Sequence, residues 1–375
     1  MVTWTVRTYE EFAYRIHETD DCLSPENHVL ARAAQLCSGR RRLLVVDHQI
    51  DKLYGDRLRA YFAYHGAVPE TLVISAGEHN KSLDALRRVL DGVDDLGLNR
   101  RSDPIVVVGG GVVTDVVGLA ASLYRRGTPF IRVPTTLVGI IDAGVGVKTG
   151  INYAGGKNRL GTYYPSADTI LDRTFLRTLS ERHIRNGIAE AIKVAIMRNR
   201  TLFGLLETHV ADLVSTRFDC AVSAAVIDHA VSDMLGELEP NLREHELRRL
   251  VDFGHTFSPQ LEMVADGELL HGEAVAIDMA ISTAIAARRA MITEDDADRI
   301  LSLLLRAGLP LWHRACTPAA MRRALDDTTR HRDGRQHCPL PTGLGAGTFV
   351  EHLTHDEIEY ATEWLKDLTL GVRVG

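Results

Sequence analysis

Short, continuously apolar runs alternating with helix-patterned stretches constrain the first half of this chain more than any other feature. Arg42–Asp47 (RLLVVD), Thr71–Ser75 (TLVIS), Pro104–Gly109 (PIVVVG) and Thr128–Val133 (TPFIRV) read as strands, with Ile50–Tyr64 and Ser82–Leu96 as intervening helices. Strands that are apolar on both faces need cover on both faces, which a parallel sheet flanked by helices supplies. The texture changes near residues 172–179. Beyond them, Ala-, Leu- and Arg-rich stretches with helical spacing dominate, at 187–208, 211–236, 245–265, 272–290 and 294–307. The sequence therefore predicts an α/β domain with a parallel sheet over residues 1–175 and an all-α domain over 176–375. Residues 328–348 are turn-rich and predict a loop or a short hairpin.

A length of 375 residues agrees with two domains, at roughly 150 residues each. The 43 basic residues against 50 acidic give a net charge of −7, which argues against a general binder of nucleic acid or anionic membrane. A pocket can still oppose the net charge, so small anionic substrates stay open. The most apolar stretch, Ile105–Leu123, is interrupted by glycines, Thr114 and Asp115, and does not read as a membrane span. The N-terminus lacks a basic region followed by an apolar core, so no secretory signal is expected. Cysteines 22, 37, 220, 316 and 338 are odd in number and never spaced C-x-x-C. A disulfide framework or thiolate zinc site is not expected, and a reducing cytoplasm is.

Gly109-Gly110-Gly111 follows a strand and opens a helix that carries Asp115 and Gly118. Such a turn lets the backbone approach a phosphate, with helix N–H groups and dipole behind it. It departs from G-x-G-x-x-G at Thr114, so a tight βα turn without ligand stays open as a competing reading. Asp47 at the end of the first strand, and Thr135-Thr136 after another, are placed to line a dinucleotide site. Glu78-His-Asn-Lys81 is expected to cap the next helix and add a cation.

In the second half, Glu190 and Lys193 lie one helical turn apart on one face. His255 lies in VDFGHTF and His271 in LLHGEAV. One carboxylate and two imidazoles with an open position form the ligand set of a catalytic zinc. Spacing alone leaves two core or capping histidines unrelated to Glu190 as a competing reading. Arg248, Asp252, His255 and Pro259 fall on one helical stripe, with a kink or break expected at the proline. Lys148, Lys157, Asn158, Lys193 and Arg248 adjoin these motifs, and Gly155-Gly156-Lys157-Asn158 suits an oxyanion.

Taken together, GGGVVTDVVG, RVPTTL, IDAGVGVKTG, GKN, NGIAEAIK, DFGHTF and LLHGEAVAI resemble the sugar phosphate cyclases, the superfamily of dehydroquinate synthase. The resemblance runs in order from about Asp47 to Gly347. It implies an N-terminal dinucleotide-binding α/β domain, a helical metal-binding C-terminal domain and a homodimer. It implies that Glu190, His255 and His271 bind zinc, with cobalt as an alternative, and that Asp47, Glu78, Lys81, Gly110, Gly111, Asp115, Thr135 and Thr136 contact NAD. Asp142, Lys148, Lys193, Arg248 and Asp252 would serve catalysis. Lys157, Asn158, Arg126, Met234 and Pro259 would face the substrate or its phosphate, with Arg126 reaching the neighbouring subunit's site. Dehydroquinate synthases carry a lysine, an asparagine and a histidine where this chain has Met234, Asp252 and Pro259. That loss of a cation and an imidazole suits a substrate without a carboxylate. LGTYYP, MLGELEPNL, DFGHTFSP and RHRDG…PLPTG are most similar to the 2-epi-5-epi-valiolone synthases, which cyclise sedoheptulose 7-phosphate. The 2-epi-valiolone and desmethyl-4-deoxygadusol synthases, dehydroquinate synthase and metal-dependent polyol dehydrogenases remain the alternatives.

Overall fold

The computed structural model describes residues 1–8, 11–37, 40–154 and 156–371. Gly155 of the glycine-rich GGKN segment lies outside them. The chain forms two compact units: Met1–Val133 with Val147–Leu171, and Pro134–Gly146 with Asp172–Gly375. The division falls at residue 171 instead of 175, and residues 134–146 belong with the second unit.

The first unit contains, in chain order, β1 (Arg15–Glu18), α1 (Val29–Ala33), β2 (Arg41–Asp47), α2 (His48–Tyr64), β3 (Val68–Ile74), α3 (Leu83–Leu96), β4 (Ile105–Gly109), α4 (Gly111–Leu123) and β5 (Phe130–Pro134). After a break come β6 (Lys148–Tyr153), β7 (Gly156–Tyr163) and β8 (Asp168–Leu171). Six strands form one sheet in the order β1-β8-β5-β4-β2-β3. The pairs β1–β8, β5–β8, β2–β3 and β2–β4 all run parallel. The central strands β2, β4 and β5 are buried almost throughout, as their unbroken apolar runs require. Val89, Val93, Val116, Val117 and Ala120 pack α3 and α4 onto the sheet in one cluster with Val45 and Val107. β6 and β7 form a separate antiparallel hairpin.

The second unit contains α5 (Glu181–Arg198), α6 (Arg200–Ser215), α7 (Ser223–Leu238), α8 (Ser258–Val264), α9 (His271–Arg288), α10 (Glu294–Arg306), α11 (Pro318–His331), β9 (Cys338–Gly343), β10 (Ala346–Val350) and α12 (His355–Thr369). It is helical apart from the antiparallel β9–β10 hairpin, so the all-α expectation needs that one amendment. The expected stretch 187–208 is two helices, because Asn199 ends α5 and its side chain caps α6 through Leu202 N at 2.8 Å. The turn-rich reading of 328–348 holds for the hairpin but not for residues 328–331, which complete α11. The expected helix 245–265 does not form. Leu250–Asp252 is a single 3₁₀ turn, and Gly254 at φ +76° takes the left-handed conformation that an α-helix excludes. Arg248, Asp252, His255 and Pro259 therefore do not share a helical stripe. Pro259 does not kink a helix; it sits in the first turn of α8, where its missing N–H costs nothing.

Arg289, just past α9, ties that helix to α12. It donates to Glu357 at 2.6 and 2.8 Å, and Glu357 also accepts from Thr354 N and Oγ1 at 2.9 Å each. The Arg289 hydrogen bond is the main cause that depresses Glu357 from its ordinary 4.5 to about 2, against the opposing effect of burial. A depressed carboxylate stabilises the fold above its unfolded pKa, and that contribution is lost as pH falls through the folded value. Glu357→Gln should therefore cost roughly 1–3 kcal/mol at pH 7. The gap between variant and parent in thermal melts should narrow as pH falls from about 4.5 toward 2. A gap that does not change with pH would contradict the assigned role.

Candidate functional site

Glu190 and Lys193 project from the middle of α5, a helix buried without interruption from Gly187 to Met197. Both side chains are inside: Glu190 is 0% and Lys193 2% exposed. Lys193 Nζ lies 2.5 Å from Glu190 Oε2 and 3.4 Å from Oδ2 of Asp142. Asp142 comes from a π-helical turn, Gly139–Ala143. Burial works against the charge on Lys193, but Glu190 and Asp142 outweigh it and raise its pKa. Burial works equally against Glu190, yet Lys193 and His271 hold it well below the usual carboxylate range.

α9 delivers His271 as its first residue. Gly272 explains how it reaches Glu190. A Cβ there would stand 2.0 Å from Asn186 O, so only glycine lets the start of α9 press on α5. Gly272 N donates to Asn186 Oδ1 at 2.5 Å and fixes that contact. His271 Nε2 is 3.1 Å from Glu190 Oε1, and its Nδ1 is 3.0 Å from Glu262 Oε1 on α8. His255 comes from the turn before α8, with Nδ1 3.2 Å from Phe253 O. The His255 and His271 rings stand 5.3 Å apart. Burial, then the Lys193 charge, push His255 down to about 4, keeping it a neutral ligand-type imidazole.

One ligand atom from each of Glu190, His255 and His271 lies within 4.8 Å of the others. The residues present fit a metal ion. Both Glu190 oxygens are buried and neither accepts a properly directed hydrogen bond, despite the neighbouring nitrogens. A buried carboxylate without directed hydrogen bonds is costly even beside Lys193, and a cation shared with the imidazoles would satisfy it. The second ring nitrogens of both imidazoles face an acceptor, Phe253 O and Glu262, which orients the other nitrogen. Two imidazoles and one carboxylate suit zinc, and such an N/O set also takes cobalt.

Asp252, beside this group, pairs with Arg249 at 2.9 Å and lies 3.9 Å from Arg332. Arg248 is largely exposed, with its guanidinium 5.1 Å above the Phe349 ring and 3.6 Å from Glu351. Met234 is buried in α7. Thr135 is buried, and Thr136 Oγ1 accepts from Gly139 N at 3.1 Å, starting the turn that carries Asp142.

In the first unit, Gly110 is the N-cap of α4 and no side chain caps that helix, which leaves its first N–H groups for an anion. Asp47 ends β2 and accepts from Gln49 N at 2.8 Å. Lys81 pairs with Asp115 of α4 at 2.6 Å. Glu78–Asn80 forms a 3₁₀ turn, but the cap of α3 is Ser82, not the Glu78–Lys81 segment. Asn152 of β6 gathers the rest. Its side chain donates to Glu78 Oε1 at 2.9 Å and accepts from Asn158 N at 2.9 Å. Its own N–H donates to Lys81 O at 2.8 Å. Lys157 Nζ lies 3.9 Å from the same Glu78 oxygen. Lys148 opens β6 and is exposed, as is Arg126 beyond α4.

Sequence reading overlooked Asn152, Glu262, Asp278 and Arg332. An Asp at 278 within the apolar run AVAIDMAI was the one visible signal.

Comparison with known proteins bears on this geometry. The models of the 3-dehydroquinate synthase N-terminal and C-terminal domains match residues 71–186 and 187–330. A 2-epi-5-epi-valiolone synthase of Streptomyces albus is 48% identical over 97% of this chain and 91% of its own. The structure of ValA, the 2-epi-5-epi-valiolone synthase of Streptomyces hygroscopicus subsp. jinggangensis, has NAD+ and Zn2+ bound. It superposes with a TM-score of 0.94 at 49% identity, covering 97% of this chain and 100% of that one. A demethyl-4-deoxygadusol synthase of Trichormus variabilis is 40% identical, covering 97% of this chain and 90% of its own.

Proposed function

The chain belongs to the 3-dehydroquinate synthase family, and from that premise we propose that it is a sugar phosphate cyclase. It converts sedoheptulose 7-phosphate to 2-epi-5-epi-valiolone with release of phosphate, as a carbon–oxygen lyase. The observation that carries this reading is the convergence of Glu190, His255 and His271 around an unsatisfied buried carboxylate. Identity of 43–50% with 2-epi-5-epi-valiolone synthases, against 40% with the demethyl-4-deoxygadusol synthase, favours this product.

Glu190, His255 and His271 would hold zinc as a Lewis acid, and Asp47, Gly110, Gly111, Asp115, Thr135 and Thr136, with Glu78 and Lys81, would hold NAD as a recycled hydride acceptor. The remaining roles belong to the chain's own side chains. Lys157 and Asn158, with Lys148, bind the phosphate, offering cations and an amide to a dianion. The hydrogen bond from Asn158 N to Asn152 Oδ1 keeps that loop in place. Lys193 Nζ lies within reach of both Glu190 and Asp142, so it stays charged and holds the Asp142 carboxylate in place as a proton acceptor. Asp252 and Arg248 orient substrate hydroxyls, and Met234 and Pro259 offer no charge to a carboxylate that this substrate lacks. The balance closes without water. A C–H proton and the phosphate leave, one C–C bond closes the ring, and the two products sum to the substrate.

Arg126 is exposed, and we assign it to the partner's site in a homodimer. Light scattering should then give about twice the 41.4 kDa chain mass, and a monomeric mass would count against that assignment. Among the described residues no helix is long and apolar enough to cross a membrane, and the five cysteines are free. We place the enzyme in the cytoplasm, which cell fractionation checks.

Incubation with sedoheptulose 7-phosphate, NAD and zinc should release one phosphate per carbocycle with no net NADH, the product's stereocentres being read by NMR. Lys193→Met should lower turnover on the order of 10²–10⁴-fold. Accumulating NADH would point to a polyol dehydrogenase. An ultraviolet-absorbing enone would point to a demethyl-4-deoxygadusol synthase. Absence of phosphate release would overturn the reading.

A further inference from the structure

α9 carries a second polar group on the face that starts with His271. Asp278 stands seven residues on, which is two helical turns, and is completely buried. Its Oδ2 accepts from Phe257 N and from Ser258 N, the latter at 2.9 Å, and its Oδ1 is 3.3 Å from Ser282 Oγ. Those two amides open α8, whose N-cap, Phe257, has no side chain able to cap. The next residue is Pro259, which has no N–H. Asp278 thus satisfies from a different helix the free donors that α8 leaves at its start.

This contact closes a ring. α8 carries Glu262, which orients His271, and α9 carries His271 and Asp278, which holds the start of α8. His255 sits three residues before Ser258, on the turn suspended from that start. The turn is also pressed on α9, since a Cβ at Gly254 would stand 2.8 Å from Val275 Cγ1. A rotation or slip of α8 would therefore move His255 and the Glu262 support of His271 together.

We infer that Asp278 is a positioning residue of the metal centre, setting His255 and His271 in register through the backbone of residues 257–258. It contacts neither imidazole. Burial pushes its carboxyl up to about 6 while the Phe257 and Ser258 amides pull the other way. What the turn requires is an acceptor oxygen, which an asparagine also supplies while donating its amide to Ser282 Oγ.

The inference rests on the metal reading, and the test separates the two. Full-length zinc-loaded parent, Asp278→Asn and Asp278→Ala are challenged with excess chelator, and the rate of zinc loss is followed with a zinc-responsive dye. Asp278→Ala should lose zinc on the order of 10–100-fold faster, as when a group supporting a ligand is removed. Asp278→Asn should stay close to the parent. The visible absorption of the cobalt-substituted protein should change in the alanine variant and persist in the asparagine one. If the alanine variant does not fold, Asp278→Ser, one bond too short to reach both amides, should shift both readouts in the same direction. Parent-like zinc retention and spectrum in a folded alanine or serine variant would overturn the inference, as would an asparagine variant as impaired as alanine. A parent that holds no zinc would instead defeat the metal reading itself.

Discussion

A fully buried carboxylate is the constraint on which the second unit depends. Removing Glu190 from water costs several kcal/mol unless opposite charge and directed contacts replace the lost hydration. Lys193 supplies one charge at 2.5 Å, but it is itself buried and is also drawn to Asp142. The rest of the compensation must come from the side where the two imidazoles stand. The surrounding architecture serves that demand. α5 is buried on every side from Gly187 to Met197, α9 touches it through Gly272, and the 253–257 turn departs from helix to bring His255 alongside.

The two units meet different chemical requirements with different devices. In the first, the parallel sheet ends in a glycine turn whose helix donors are left open, and Asn152 links the Glu78, Lys81 and Asn158 segments through four hydrogen bonds. Its cations are not a simple positive patch. Lys81 is neutralised by Asp115 and Lys157 faces Glu78, so these two lysines each stand beside an acid. In the second unit burial opposes the charges on Lys193 and Glu190, which their mutual contact restores, and keeps the pKa of His255 down. The net charge of −7 belongs to the surface and says little about either region.

Much of this was legible in the sequence where local pattern and local structure coincide. Unbroken apolar runs such as PIVVVG became central strands, because a strand covered on both faces has no polar side to show. Glu190 and Lys193 share a face because helical spacing dictates it. The failures lie where a distant partner decides. The 245–265 segment has helical periodicity in Leu247, Leu250 and Val251. The left-handed Gly254, packed against Val275, and the capture of two amides by Asp278 override that preference. Neither partner lies nearby in the chain. Glu262, Arg332 and Asn152 escaped notice for the same reason: alone they are ordinary polar residues, and only tertiary contact gives them a task. The grouping of Glu190 with His255, 65 residues apart, was available from motif resemblance and not from spacing.

The central claim is that Glu190, His255 and His271 share one metal ion. Anomalous diffraction collected above and below the zinc absorption edge, on crystals of the zinc-loaded protein, tests it most directly. A single peak about 2.0–2.2 Å from one Glu190 oxygen and from a ring nitrogen of each histidine is the predicted result. A peak elsewhere, or no peak among these three side chains at full zinc loading, would contradict it.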